Sequence, residues 1–298
     1  MLFRSLNLTY WGTGNPGPDF NAGQRMGDNL YSDSVLALDP DTGNMKWYFQ
    51  FSPHDPYDYD SVQVPVLANA DWNGSPRKLM FWGNRNGFFY VLDRGTGKFL
   101  AGKPFAKVNW ASGLDANGRP IPTPQPPGEP TYPGIQGATN WYSPSYSPRT
   151  GLFYIPAWVD YSSVYVKQPV EYTEGRLFAG AMPQSPVPMI RSGQINQKRD
   201  DEGYGAVRAM DPKTGERKWE FKMADVTDSG ILTTATDLLF VGGREGYFFA
   251  LDARNGSMLW KANTGGQVSS GPMTYAVEGR QYVAVASGSA LYVYALRR

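Results

Sequence analysis

Short apolar runs alternate with polar, glycine-closed turns along the whole chain, and several of the turns follow one template. Ala37-Leu38-Asp39-Pro40-Asp41-Thr42-Gly43 leads to Lys46-Trp47, and Val91-Leu92-Asp93-Arg94-Gly95-Thr96-Gly97 leads to Lys98-Phe99-Leu100. Ala209-Met210-Asp211-Pro212-Lys213-Thr214-Gly215 leads to Lys218-Trp219, and Ala250-Leu251-Asp252-Ala253-Arg254-Asn255-Gly256 leads to Leu259-Trp260. Each unit is an apolar strand, a turn opened by Asp and closed by Gly, and a second strand with a large apolar residue. Asp caps the turn's N–H groups, and Gly supplies its positive φ. A hairpin that recurs with an aromatic residue at a fixed offset predicts propeller blades, with Trp47, Trp219 and Trp260 as blade-packing residues.

The same pattern predicts strands over 229–235, 237–242, 247–252 and 257–263, which make one four-stranded blade. Three more strands follow over 270–277, 280–287 and 290–296, whereas Leu8–Gly12 is a strand without an obvious upstream partner. The chain is therefore expected to be all-β, one partial propeller over residues 1–298, an open arc of four-stranded antiparallel blades. Three blades are complete, at 60–110, 135–222 and 227–264, with an incomplete blade on either side. Residues 119–134 and 159–203 read as long loops, the first proline-rich and extended, the second folded over one face.

Composition narrows the function classes. With 34 Gly, 24 Pro and 14% aromatic residues, the chain suits many short strands and tight turns. A net charge of +1 offers no basic field for nucleic acid. No apolar stretch is long enough to span a bilayer, and the opening residues do not read as an export signal. The absence of Cys excludes disulfides and thiolate metal sites. A single histidine, His54, argues against a Ser-His-Asp triad or a multi-histidine metal site, and reads as a structural hydrogen-bonding residue.

Two motifs carry chemistry. Trp11-Gly12-Thr13-Gly14-Asn15-Pro16 is a glycine-loosened turn ending on a side-chain amide. Pro53-His54-Asp55-Pro56-Tyr57-Asp58-Tyr59-Asp60 is an acidic cluster, in which extended backbone would point Asp58 and Asp60 to one side. Carboxylates that close repel unless a cation or donor lies between them. Together the motifs offer hard oxygen ligands and a base, suited to an oxygen-loving metal ion. Taken singly, each has a plainer explanation: a turn asparagine for Asn15, a solvated acidic loop for Asp58 and Asp60, a hairpin arginine for Arg85 before Asn86-Gly87.

In order and on a propeller-like repeat, these motifs resemble the active-site motifs of PQQ-dependent (quinoprotein) alcohol dehydrogenases. Further agreement lies in Gly83-Asn84-Arg85-Asn86-Gly87-Phe88-Phe89-Tyr90, Tyr146-Ser147-Pro148-Arg149-Thr150-Gly151 and Gly271-Pro272-Met273-Thr274-Tyr275. The resemblance implies the C-terminal half of an eight-bladed β-propeller, a fragment of an enzyme oxidising a primary alcohol to an aldehyde. It implies PQQ and one metal ion as cofactors, with Asn15, Asp58 and Asp60 on the metal. It makes Asp58 the catalytic base and Arg85 and Asn140 cofactor-binding residues. Asp at position 60 is the residue of lanthanide-dependent members, so a lanthanide is favoured over calcium. The implied partners are a small alcohol substrate, a cytochrome c-type electron acceptor and the missing N-terminal half, and the implied compartment is the periplasm. The family's N-terminal metal-binding glutamate, adjacent-cysteine disulfide and stacked tryptophan have no counterpart here, and its tryptophan in the penultimate blade is replaced around Asp228-Ser229. On this reading the isolated chain is inactive. Two alternatives stand beside it: a non-catalytic scaffold of the outer-membrane assembly type, or an inactive truncated remnant.

Overall fold

The computed structural model describes residues 2–3, 5–181 and 203–296, and among these the only helical element is a 3-10 turn, Ala22–Gln24. The strands divide between two compact units, one formed by Met1–Trp141 with Asp160–Pro188, the other by Tyr142–Val159 with Met189–Arg298. In the first unit, β1 (Leu2–Phe3), β2 (Leu8–Gly12), β3 (Ser34–Leu38) and β4 (Met45–Gln50) form one antiparallel meander. A second comprises β5 (Val66–Trp72), β6 (Ser75–Gly83), β7 (Phe88–Asp93) and β8 (Phe99–Pro104). A two-stranded hairpin of β9 (Ala111–Leu114) and β10 (Pro120–Pro122) follows.

The second unit repeats the plan. Its first sheet orders β11 (Ser145–Ser147), β12 (Leu152–Val159), β13 (Tyr204–Met210) and β14 (Arg217–Lys222). The next orders β15 (Leu232–Thr233), β16 (Leu238–Gly242), β17 (Tyr247–Asp252) and β18 (Met258–Asn263). The last has three strands, β19 (Met273–Val277), β20 (Arg280–Ser287) and β21 (Ala290–Tyr294).

The template turns produce one geometry in every four-stranded sheet. The closing glycine has φ of 73°, 74°, 75° and 75° at Gly43, Gly97, Gly215 and Gly256. Each donates its N–H to the carbonyl of the opening Asp at 2.8 Å. A register shift falls one residue earlier in every case, at Ala37/Leu38, Val91/Leu92, Ala209/Met210 and Ala250/Leu251. That bulge sharpens the twist and aims the next strand's aromatic residue at the neighbouring turn. A Cβ on Gly97 would lie 2.5 Å from the Trp47 ring, and one on Gly256 would lie 2.6 Å from the Trp219 ring. Trp219 also donates Nε1–H to the Ala253 carbonyl at 3.1 Å. The bare glycine is thus both the turn residue and the aromatic ring's seat.

Several strand expectations need correction. Leu8–Gly12 has a partner after all, since Leu2 and Phe3 pair with Thr9 and Leu8. Asn7 reverses the chain between them at φ 48°, a conformation its short amide tolerates. The stretch expected to be an extended proline-rich loop begins with β10, and Phe99 packs on Gly118 in the β9–β10 turn. Here the hairpin takes the part that a neighbouring blade's turn plays elsewhere. The second expected loop starts inside β12, its described part bridges Thr131 to Ser163, and its remainder lies outside the described residues. Trp260 is 40% exposed, with an edge contact to Tyr294 at 5.1 Å, because no glycine seat lies against it among the described residues.

This difference is testable. Trp219→Ala is expected to cost about 3–5 kcal/mol, the range for truncating a buried aromatic, whereas Trp260→Ala is expected to cost about 1 kcal/mol or less. Guanidinium denaturation midpoints compare the two directly.

Candidate metal and acid–base site

The two motifs meet in the first unit. Gly12 ends β2, and its missing side chain leaves room for the Ser61 carbonyl, which a Cβ would overlap. Thr13 locks the turn: its N–H donates to Ser34 O at 2.9 Å, and its carbonyl accepts Ser61 N–H at 3.0 Å. Its hydroxyl accepts Ser34 N–H at 2.9 Å and donates to Tyr31 O at 2.6 Å. Gly14 then passes close to the acidic loop, where a Cβ would lie 2.9 Å from Asp60 Oδ1. The next residue, Asn15, donates its backbone N–H to that same oxygen at 2.8 Å.

The acidic loop is not extended. Asp55, 2% exposed, accepts Tyr57 N–H on Oδ1 at 2.9 Å and Tyr59 N–H on Oδ2 at 2.6 Å, which winds the chain round its own carboxylate. Asp58 consequently sits at φ 63°. Asp58 and Asp60 reach one side through this wound turn, not through strand alternation. Their common partner is Arg85, on the β6–β7 turn and only 6% exposed. Its Nη1 donates to Asp60 Oδ2, its Nη2 lies 3.5 Å from Asp58 Oδ2, and Nη2 also donates to Ile135 O. Gly137 makes this position possible, since its Cβ would stand 2.7 Å from Arg85 Cβ, and Ala138 N–H closes onto Arg85 O at 2.9 Å.

The structure therefore brings Asn15, Asp58, Asp60 and Arg85 together. It does not place Asn140 in contact with them. Asn140 holds its own loop, accepting Trp141 N–H at 2.9 Å and donating to Gln136 O at 3.3 Å. That loop nonetheless supplies Ile135 and Gly137 to Arg85. His54 is exposed, with Nδ1 at 2.8 Å from Gly27 O, away from any base role.

Three further acids belong to the site's surroundings. Asp33 is fully buried, and its carboxyl oxygens accept no hydrogen bond of good geometry among the described residues. Asp19 lies beside Asn15, and Asp55 beneath the loop. Burial is the main cause of every shift here, with carboxylate neighbours adding to it at Asp58, Asp33 and Asp19. It pushes Asp58 up to about 7 against the pull of Arg85, Asp55 up to about 6, and Asp33 up to about 10. Asp19 is raised as well, against the pull of the Asn15 side chain. Asp33 and Asp19 were not singled out in the sequence, where no spacing ties them to the acidic motif; only the fold does, by bonding Asp33 N–H to Gly14 O at 2.9 Å.

These residues fit a multivalent cation. Among the described residues, five carboxyls, Asp19, Asp33, Asp55, Asp58 and Asp60, face only Arg25 and Arg85. No three His, Cys, Asp or Glu side chains among the described residues gather as a ligand set by themselves. The side-chain oxygen of half-buried Asn15 is the natural complement, its Nδ2 being buried with no hydrogen bond of good geometry.

Without a cation, the folded state holds protons that the unfolded chain releases near pH 4. Stability is then greatest at low pH and falls as pH rises through the raised values, between about 4 and 7 for Asp55 and Asp58 and beyond for Asp33. Thermal melts of the metal-free chain in chelator are expected to show a lower midpoint at pH 8 than at pH 5. A rise over that range would mean these carboxyls are not buried together.

Known proteins resemble this chain along most of its length. Residues 4–123 match the family model "Glucose/ethanol/alcohol dehydrogenase, beta-propeller domain", and residues 203–297 match the model "Outer membrane protein assembly factor BamB". The chain is 39% identical to quinoprotein alcohol dehydrogenase PedH of Pseudomonas putida, over 95% of this chain and 47% of that protein. It is 38% identical to 1-butanol dehydrogenase (cytochrome c) of Thauera butanivorans, over 88% of this chain and 38% of that protein. A solved europium-containing methanol dehydrogenase superposes with a TM-score of 0.86 at 33% identity, covering 96% of this chain and 50% of that one. The chain spans about half the length, or less, of the relatives it matches, in their C-terminal part.

Proposed function

The chain belongs to the quinoprotein alcohol dehydrogenase family, as the C-terminal half of its β-propeller, and we propose that it carries the base and a share of the metal and cofactor contacts for PQQ-dependent alcohol oxidation. The observation that supports this is that Asp58 and Asp60 both lie against the buried Arg85, while Asn15 is tied to Asp60 through its backbone N–H. Asn15, Asp58 and Asp60 would hold the metal ion. PQQ, when bound, supplies a two-electron acceptor for the hydride of the alcohol's carbon–hydrogen bond.

Asp58 takes the substrate's hydroxyl proton; burial raises it in the metal-free chain, and a bound cation would draw it back toward the ionised form that a base needs. Arg85 is held rigidly by Asp60 and Ile135 O, so its charge is fixed beside the site and needs no reorganisation when an oxyanion develops nearby. Asn140 is kept as a cofactor contact on the resemblance alone, as are the periplasm and a primary alcohol substrate. A cytochrome c-type acceptor draws support from the relative so named. The metal is proposed to be a lanthanide, on Asp60 and on the europium-containing neighbour.

The match of 203–297 to an assembly-factor model favours a scaffold reading for that stretch. Against it, relatives named as dehydrogenases cover nearly the whole chain. Dye-linked oxidation of a primary alcohol by a full-length protein containing this segment, with PQQ and metal, tests the proposal. The 298-residue chain alone is expected to be inactive. A loaded full-length protein that binds PQQ yet oxidises no alcohol would favour the scaffold or remnant.

A further inference from the structure

The hairpin turn that carries Arg85 is built a second time, between β16 and β17. In the first turn Asn84 N–H bonds Phe88 O at 3.0 Å and Gly87 N–H bonds Asn84 O at 3.1 Å. In the second, Gly243 N–H bonds Tyr247 O at 3.0 Å and Gly246 N–H bonds Gly243 O at 3.2 Å. Arg85 and Arg244 hold the same place in the two turns. Each faces an Asp-Ser pair ahead of its sheet, Asp60-Ser61 or Asp228-Ser229. Ser61 Oγ accepts Asn84 Nδ2–H at 2.8 Å, and Ser229 Oγ accepts Gly242 N–H at 3.0 Å.

The two arginines differ in what they leave open. Arg85 commits both terminal nitrogens to the protein. Arg244 instead donates Nε–H to Asp228 Oδ2 at 2.5 Å and lies over the Trp158 ring at 4.9 Å. Asp228 is 6% exposed and also accepts Gln267 Nε2–H at 2.9 Å. Trp158 is fixed in turn by Nε1–H to Thr227 O at 2.9 Å. The Nη1 and Nη2 groups of Arg244 meet no partner among the described residues, and its side chain keeps 17% of its surface exposed. A guanidinium held by one edge and one face has already lost its rotamer freedom. Its open edge is a fork of donors matched to a planar, two-oxygen acceptor.

The surrounding acids do not cancel this fork. Glu245 folds back into the space a Cβ on Gly243 would fill, and its oxygens are buried without a partner among the described residues. Burial, and then Asp225, push it up to about 7, so it carries less than a full charge near neutral pH. Asp225 directs Oδ1 to Val226 N–H at 2.7 Å, and its Oδ2 is buried.

We propose that Arg244, pinned by Asp228 and Trp158, binds a carboxylate of a small-molecule ligand in the second unit. The inference rests on the dehydrogenase reading for its choice of ligands, and it is tested by binding without turnover, so its failure leaves that reading standing. The carboxylate has two possible sources, an alcohol that also carries a carboxyl group or PQQ itself. Isothermal titration of a full-length protein containing this segment, free of PQQ, with 6-hydroxyhexanoate, 1-hexanol and PQQ separates them. If the source is the alcohol, 6-hydroxyhexanoate binds about tenfold more tightly than 1-hexanol, the scale of one charge-assisted contact. Arg244→Leu then removes the difference, and Arg244→Lys, which keeps the charge without the fork, retains only a small part of it. If the source is PQQ, its affinity falls about tenfold in the same variants while the two alcohols bind alike throughout. Should Arg244→Leu fail to fold, Arg244→Lys decides. Unchanged affinity for all three ligands in a folded variant makes Arg244 and Asp228 an internal ion pair and overturns the proposal.

Discussion

Asparagine in place of Asp58, in a full-length protein containing this segment, is expected to lower kcat by about a hundredfold to ten-thousandfold, the range for loss of a general base. Asn preserves the shape of the side chain while removing its capacity to accept a proton. Arg85 keeps Asp60 and Ile135 O as partners, so PQQ should remain bound at its usual stoichiometry, checked by its absorbance. Stability should move the other way. Asp58 is pushed up to about 7 by burial and by Asp60, Asp55 and Asp19, so an ionised Asp58 opposes folding at pH 8. Asp58→Asn should therefore raise the metal-free melting midpoint at that pH. Opposite signs for activity and stability mark a group kept for chemistry at a cost to the fold. Retention of kcat within about threefold, a change of less than 1 kcal/mol, would place the base elsewhere.

The sequence exposes the fold at positions where one residue type is physically obliged. The Asp-to-Gly turns are legible because their glycines must adopt positive φ and also seat a ring, as Gly97 does for Trp47. Strands such as β12, buried along its whole length, are legible as unbroken apolar runs. The two-residue strand Leu2–Phe3 is not, since it exists only because a longer neighbour offers its edge, whereas Leu232–Thr233 falls inside the strand expected at 229–235 and is only shorter. The site divides in the same way. Asn15, Asp58, Asp60 and Arg85 lie in motifs whose order can be read. Asp33 lies in an ordinary Ser-Asp-Ser sequence, and only the bond between Asp33 N–H and Gly14 O brings it behind the acidic loop. The wound turn at Asp58 is not legible because its cause, Asp55 capping Tyr57 and Tyr59, is local hydrogen bonding by a residue that also looks like one more surface acid.

Asp60→Ala should separate the two candidate metals. Asp60 holds Arg85 Nη1, accepts Asn15 N–H and fills the space beside Gly14. Its removal leaves a nearly buried guanidinium with Asp58 at 3.5 Å as its remaining carboxylate, and breaking such a pair costs about 3–5 kcal/mol. The metal-free variant should therefore be less stable than its parent, even though it carries one acid fewer. Metal affinity follows valence. The attraction between a carboxylate and an ion scales with the ion's charge, so losing one ligand costs a trivalent ion about half as much again as a divalent one. A hundredfold loss of calcium affinity would correspond to about a thousandfold loss for terbium or europium. Luminescence titration of the full-length variant, with calcium as competitor, measures both affinities without any turnover. Circular dichroism at matched pH confirms that the variant is folded before they are compared. A lanthanide loss no larger than the calcium loss would remove the physical reason for assigning a trivalent ion to Asp60, and calcium would then be the better-matched metal.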